Sequence, residues 1–400
     1  MSNALGFFYG VSGHKINFQK SSIIGVGVCQ EEIGRLAYFI GCKAQNLPFK
    51  YLGIPIGGSA KRVSFWEPVF NKFKKHFSGW KAILFSIGGT LTLIKSVLGS
   101  LGNYFLSIYR MPKSVVKTLE SLRCSVFWGG SLNIRKIHWI NWNTALASKK
   151  VGGLGIGSLN VLNFSLLYKW RWRGINYRDS LWAQVILDIH GKECFYNMSA
   201  KSNGNWNNIV AANKHVHTMG IRSGSVQEQL HSMVGLLPRD LDNSDDRWRI
   251  SMINHFVWRL LRNGIPTNVN LFGKGVDIST VRCNLCDSGI DDTSHLFRHC
   301  PFTCDPRSKI NPWVHHNIPD EDPKDKLNWY KGLHLTNFQR QVLEAIMLMW
   351  WWHIWKERNN GFHNGHHTSV DDTFTSIVSL SFLWVSNRDW SILLIGMNGK

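Results

Sequence analysis

Residues 283–300 read CNLCDSGIDDTSHLFRHC, and their spacing decides what the carboxyl-terminal half of this chain can be. Cys283 and Cys286 are separated by two residues, a half-site from which two thiolates converge on a tetrahedral zinc ion. Eight residues separate Cys286 from His295, and four separate His295 from Cys300. The best donor set is Cys283, Cys286, His295 and Cys300, with His299 or Cys304 able to replace the last member. HLFRHC reads as helical, which would put His295 and His299 on one face with Cys300 nearby. Four nitrogen and sulfur donors leave no open coordination position, so zinc here would be structural. The eight-residue loop is shorter than the roughly twelve residues of a DNA-reading finger, so base reading is not expected. The competing reading is a run of reduced thiols beside a surface histidine pair.

Working outward, the other four cysteines (Cys29, Cys42, Cys124, Cys194) are scattered and read as reduced packing residues. The chain of 400 residues is long enough for two or three domains. Its net charge is +20, a balance for which nucleic acid is the commonest partner. The excess is concentrated. Between Lys61 and Asp179 there are nineteen Lys and Arg against three acids (Glu67, Glu120, Asp179), a surplus of sixteen. The start, MSNALGFFYGVSG, lacks a signal-peptide pattern, and no run reaches the roughly 18 apolar residues of a membrane span. An intracellular protein with no membrane partner is expected.

Residues 10–58 look strand-rich, with KINFQ, SIIGVGV and FKYLGIPIGG as short β-prone runs. Residues 60–182 are helical in pattern. Trp66, Phe70, Phe73, Phe77 and Trp80 repeat at three and four, with Lys72, Lys74 and Lys75 elsewhere on the turn. TLTLIKSVLGSLGNYFLSIY predicts a second helix, VVKTLESLRCSVFW a third, and a glycine loop, VGGLGIG, leads into a fourth. SAKSNGNWNNIVAANKH is polar and loop-like. HFVWRLLRNGIPTNVNLF gives helix, turn and helix start. Helices are expected over 337–357 and 371–386.

A catalytic constellation is not visible. Asp245-Asp246 falls in a polar linker, Asp291-Asp292 in the metal loop, and Asp371-Asp372 before the last helix. None is flanked by strands that would present carboxylates to two metal ions. GGLGIG (152–157) fails the spacing of a dinucleotide loop and does not follow a clear strand.

Longer blocks carry a resemblance. GVSGHKINFQKSSIIGVGV, LPFKYLGIPIGG, FSGWKAILFSIGGTLTLIKSVLGSLGNYFLSIYRMPKSV and KIHWINWNTALASKKVGGLGIGSLNVLNFSLLYKWRWR resemble consecutive blocks of plant LINE-type (non-LTR) retrotransposon reverse transcriptases. HFVWRLLRNGIPTNVNLFGKGV, CNLC and HLFRHCPF resemble the zinc-binding domain that follows them, and MWWWHIWKERNNGFHN their extreme carboxyl terminus. The likeness covers most of the chain. It implies an α+β, mostly helical protein: the end of a palm (1–58), a basic helical thumb and connector (59–182), a polar linker (183–246), the zinc-binding domain (247–318) and a carboxyl-terminal helical segment (319–400).

In such proteins the aspartates that hold catalytic Mg²⁺ precede the segment similar to GVSGHKIN. The resemblance therefore implies a fragment of an RNA-directed DNA polymerase, inactive alone, that uses structural zinc and binds RNA and DNA template-primer. Mg²⁺ would belong only to an intact polymerase with the palm. Lys15 matches a palm lysine near the primer–template, and the LPFKYLG block leads in such proteins to a primer-gripping turn, which makes its Lys50 and Tyr51 candidate backbone contacts. Phosphate contacts are expected from Lys72, Lys74, Lys75, Lys81 and Lys95, then from Arg135, Lys136, Lys169, Arg171 and Arg173, although a solvated helix face accounts for any one of them alone. Trp80, Trp128, Trp170 and Trp172 read as core before base-stacking platforms. His14 departs from the usual leucine, and DDRWRI running into SMINHFVW reads as an internal deletion. A nuclear location is expected. Alternatives of other classes are a zinc-dependent protein-interaction module and a nonfunctional element remnant.

Overall fold

In the amino-terminal part glycine and proline punctuate SIIGVGV and FKYLGIPIGG and keep their strands short, while Phe18–Lys20, at the end of the KINFQ run, is a 3-10 turn and not a strand. β1 (Ser22–Ile23) and β2 (Lys43–Ala44) pair in parallel, Ser22 with Lys43 and Ile23 with Ala44. The crossover between them carries a helix, α1 (Gln30–Ile40), as a parallel pair requires. β3 (Phe49–Tyr51) and β4 (Ile54–Ile56) form an antiparallel hairpin. The strand-rich expectation is thus corrected by α1, whose Glu31 and Glu32 sit in the first turn and whose Gly41 closes it at φ 78°. The computed structural model describes residues 7, 9–14, 17–79, 87–130, 136–149, 152–196, 205–218, 247–364 and 368–386.

The helices follow in order: α2 (Glu67–Gly79), α3 (Ile87–Leu93), α4 (Asn103–Leu106), α5 (Lys113–Phe127), α6 (Trp142–Leu146), α7 (Leu159–Asn176), α8 (Leu181–His190) and α9 (Asn205–Thr218). α2 buries Val69, Phe70, Phe73 and Phe77 and leaves Lys72, Lys74 and Lys75 exposed, as its apolar spacing predicts. The single helix expected over 90–109 is broken. A wide π-helical turn (Ile94–Leu98) follows α3 and ends at Gly99, where a Cβ would lie 2.5 Å from the Lys95 carbonyl oxygen. The loop expected around 199–215 is helix from Asn205 onward. It is fixed because Trp206, Ile209 and Val210 bury themselves, which polar composition alone does not reveal.

The chain packs as two units interleaved along the sequence. The first comprises 1–73, 101–119 and 159–226. Its aromatic core joins Trp66 to Phe105 and Phe65 to Tyr109. Buried Asn163 supplies what the irregular stretch after α4 lacks. Its amide donates to the carbonyls of Leu106 (2.6 Å) and Tyr109 (2.9 Å), and its oxygen accepts from the Met111 amide (2.9 Å).

The second unit comprises 74–100, 120–158 and 227–400. It contains α10 (Arg247–Leu260), α11 (Asn268–Gly273), α12 (Pro301–Val314), α13 (Pro323–Gly332), α14 (Asn337–Asn364) and α15 (Val370–Ser386). The sequence RWRISMINHFVWRL, at the junction read as an internal deletion, is one continuous helix. α14 is the axle of this unit. Met347, Trp350, Trp351 and Ile354 are fully buried on it, packed among α10, α12 and α15. No described helix is long and apolar enough to cross a membrane.

Candidate metal centre and basic surfaces

The first two donors are presented by a short antiparallel turn. Arg282 bridges Ile290, the Cys283 amide donates to Gly289 O (2.8 Å), and the Asp291 amide donates to Val281 O (2.8 Å). Inside it the Asp287 amide donates to Cys283 O (2.9 Å), and Asp287 itself takes a left-handed φ of 53°. The other two donors flank a wide turn, His295–His299, closed by the Cys300 amide on His295 O (2.7 Å). That i→i+5 turn corrects the expected α-helical face. It sets residue i+5 close above residue i, so Cys300, and not His299, joins His295. His299 is exposed, and the Cys304 thiol donates to Arg298 O (3.4 Å).

The donor atoms of Cys283, Cys286, His295 and Cys300 all lie within 4.8 Å of one another. Cys283 Sγ is 4.0 Å from Cys300 Sγ, and Cys286 Sγ is 3.2 Å from His295 Nε2. A tetrahedral zinc ion would require about 3.8 Å between sulfurs and about 3.5 Å between sulfur and nitrogen. The set fits that ion and offers no hard oxygen donors to favour calcium or magnesium. The Cys283 thiol is held down at about 6, first by the hydrogen bond from Cys300 and then by backbone amides, against its burial. Burial opposes ionisation of Cys286, but hydrogen bonds from Ser288, the Gly289 amide and His295 outweigh it and bring that thiol down too. Cys300 is pushed up, because it gives its proton to Cys283 and is itself buried. A divalent cation would replace that shared proton.

The surroundings hold residues that spacing did not single out. The Asp-Asp pair, expected to be plain loop, carries the architecture. Asp291 is fully buried; it accepts from the Asn268 amide (2.7 Å) at the start of α11 and pairs with Arg358 Nη2 (2.5 Å) on α14. Arg358 also donates to Asn268 Oδ1 (2.8 Å) and lies over the rings of Trp355 and Phe362. Asp292 accepts from the His295 amide (2.7 Å). Buried Lys326 donates to Phe297 O (2.9 Å) inside the wide turn, and burial brings its ammonium down to about 8. Gly289 has no alternative, since a Cβ there would lie 2.1 Å from the His295 ring. Nothing in the spacing of the KERNN segment after the tryptophans marks its arginine, Arg358, as the partner of Asp291.

Residues 246–305 match the family described as zinc-binding in reverse transcriptase. An Arabidopsis thaliana protein named as a ribonuclease H protein is 31% identical over 118 residues, 30% of this chain and 19% of that protein. An uncharacterised mitochondrial protein of the same plant is 33% identical over 84 residues, 21% of this chain and 54% of that protein. The matched stretches thus span about a fifth and about half of those relatives. The resemblance to plant reverse transcriptases is borne out at the zinc-binding domain, which contains all four donors.

The cationic candidates fare differently from one another. Lys50, Tyr51, Lys72, Lys74, Lys75, Lys136 and Lys169 are exposed, and Lys95 is half-buried. Lys15, Lys81 and Arg135, with Trp80, lie outside the described residues. Arg171 is committed to the chain itself, donating to Phe195 O (2.6 Å) and Tyr196 O (3.1 Å). Arg173 lies over the rings of Trp170 and Trp182. Trp170 donates to Ser107 O (2.5 Å), and Trp172 meets Tyr177 edge-on. Trp128 lies under Arg259.

The glycine loop is not a phosphate cradle of backbone amides. The amides of Gly152, Gly153, Leu154, Gly155 and Gly157 all donate to carbonyls between Ala145 and Lys149. Its own carbonyls face side-chain donors instead. Lys95 donates to Leu154 O (2.9 Å), Arg123 to Gly157 O (3.0 Å), Trp258 to Gly152 O (3.0 Å), and Arg262 to the same Gly152 oxygen.

Proposed function

We propose that this chain is the nucleic-acid-holding part of a LINE-type RNA-directed DNA polymerase, with a structural zinc ion held by Cys283, Cys286, His295 and Cys300. The observation that carries the reading is the closed Cys3His donor set inside a reverse-transcriptase zinc-binding domain. Four protein donors saturate a tetrahedral ion, so zinc would supply crosslinking and no Lewis-acid position for substrate. Its work is to tie the Cys283 turn to the wide turn, while Asp291 and Arg358 tie both to α14.

The basic segment supplies the second half of the reading. Exposed Lys72, Lys74 and Lys75 on one side of α2, with Lys136 and Lys169, offer point charges to phosphates without base selectivity. Template and primer would be RNA and DNA, and the Mg²⁺-binding carboxylates of polymerisation would come from a palm. The zinc-bound chain is expected to contain about one zinc ion per molecule and to bind RNA with an affinity that falls steeply as salt rises. Metal analysis of the purified chain and a salt titration of RNA binding test both halves. A metal-free chain that folds unchanged under chelator, or a flat salt dependence, removes the corresponding half. Template-dependent nucleotide incorporation by the chain alone would overturn the assignment of catalysis to a palm.

A further inference from the structure

The rim of the glycine loop gathers cations that its internal hydrogen bonds do not use up. Lys95, at the π-helical turn after α3, gives one ammonium hydrogen to Leu154 O (2.9 Å) and keeps two others. Lys149 stands beside it. A Cβ built on Gly155 would lie 3.9 Å from Lys95 Nζ and 3.7 Å from Lys149 Cγ. Gly155 has φ +63°, a backbone that L side chains rarely adopt, so the loop itself sets no side chain between them. Arg262 reaches the same loop three residues away at Gly152 O. Among the described residues no carboxylate lies within ion-pair distance of Lys95, Lys149 or Arg262. Two neighbouring ammonium groups repel, and a bound anion would relieve that repulsion.

We propose that Lys95 and Lys149, on the bare face of the 152–157 loop, form a phosphodiester-binding site for the backbone of single-stranded RNA. The proposal rests on the nucleic-acid reading above and sharpens it to one place. Burial, and then the charge of Lys149, lower Lys95 to about 8. Because the amides of Gly152, Gly153, Leu154, Gly155 and Gly157 are spent on carbonyls of 145–149, recognition is by two point charges, without a nest of N–H groups. Lys149 was absent from the sequence candidates. Only the loop's fold brings it to Lys95.

The test uses the zinc-bound chain, a fluorescein-labelled single-stranded RNA oligonucleotide, and inorganic pyrophosphate as a minimal anion. Lys149 is exposed, so its variants keep the fold, which unfolding midpoints verify. Lys149→Ala is expected to weaken RNA binding about fivefold at physiological salt and to lower the salt slope by about one. Lys149→Glu sets a carboxylate beside Lys95 and is expected to weaken binding more than tenfold, on the order of two lost phosphate charges. Pyrophosphate is expected to raise the unfolding temperature of the wild type and not of Lys149→Glu. Unchanged RNA affinity and slope in both variants overturns the site and leaves the nucleic-acid reading standing. Failure of the wild type to bind RNA, with a pyrophosphate shift that Lys149→Glu abolishes, sinks the RNA reading and keeps an anion site. An equal loss from Lys331→Ala, far along the chain on α13, shows diffuse charge and also overturns the site.

Discussion

Around residues 283–300 the chain converges thiols and an imidazole on a point where it supplies no cation; around residues 152–157 it converges carbonyls on cations of its own. Both loops are irregular, and both must satisfy electron-rich atoms that no helix or sheet absorbs. The glycine loop does so with Lys95, Arg123, Arg262 and the Trp258 indole, all supplied from within the second unit. The cysteine turns instead leave two thiols in contact at 4.0 Å, an arrangement that a divalent ion would complete. The difference teaches that one loop is satisfied by the chain's own cations, whereas the other gathers a donor set whose chemistry suits zinc.

That contrast can be broken most forcefully at the metal. Cys300→Ala, or a strong chelator, is expected to abolish zinc binding and unfold the domain around α12. The loss should be on the order of 10 kcal/mol, with the glycine-loop region the more resistant part. Hydrogen exchange resolved by region checks this. Loss of protection spread equally over both loops would show that they fold as one.

Next come the two buried arginines that anchor the loops. Arg358→Met strands fully buried Asp291, and Arg123→Met leaves Glu120 with the Trp142 indole (2.9 Å). Breaking such a pair by removing one member costs about 3–5 kcal/mol. Arg358→Met should also weaken zinc binding, because Asp291 closes the turn that bears Cys283. Arg123→Met should leave zinc binding unchanged. Calorimetric unfolding with zinc titration separates the two.

A third effect is confined to the metal side. Gly289→Ala pushes a methyl group into the His295 ring and is expected to lower zinc affinity about 10–100-fold, as loss of a ligand-orienting contact does. Gly273→Ala, where a Cβ meets open space, serves as the matched control.

The smallest effect concerns pH. His255 is buried against Phe127 and Trp258, and its Nε2 has no hydrogen-bond partner. Burial first, and then Arg259, lower it to about 3 from an ordinary 6.5. The unfolded chain therefore binds a proton that the folded chain refuses, and stability is lost progressively as pH falls from about 6.5 toward about 3. His255→Phe should flatten that part of the acid profile by a few kcal/mol at most, leaving neutral stability nearly unchanged. Urea unfolding at stepped pH reads the difference.

Much of this was legible beforehand. The Cys283–Cys286 spacing, the helices at 337–357 and 371–386 and the basic stretch all show in composition and periodicity, which are local properties of the chain. His299 and Cys304 could not be excluded from the donor set, because an α turn and a π turn have the same residues and differ by one hydrogen bond. Asp291 looked like a loop acid, since its partner Arg358 lies 67 residues away. α1 and α9 are not legible in the sequence for a related reason: their polar residues hide a few buried positions that only packing selects.

The sequence by itself determined which donors exist, where the positive charge is concentrated and which segments can be helical. Those depend on residue type and near-neighbour spacing. The tertiary structure decided which donors meet, which acid holds the metal turn to α14, and which lysines are drawn together beside the glycine loop. Those depend on distances between segments remote in the chain, set only once the tryptophan-rich core has closed.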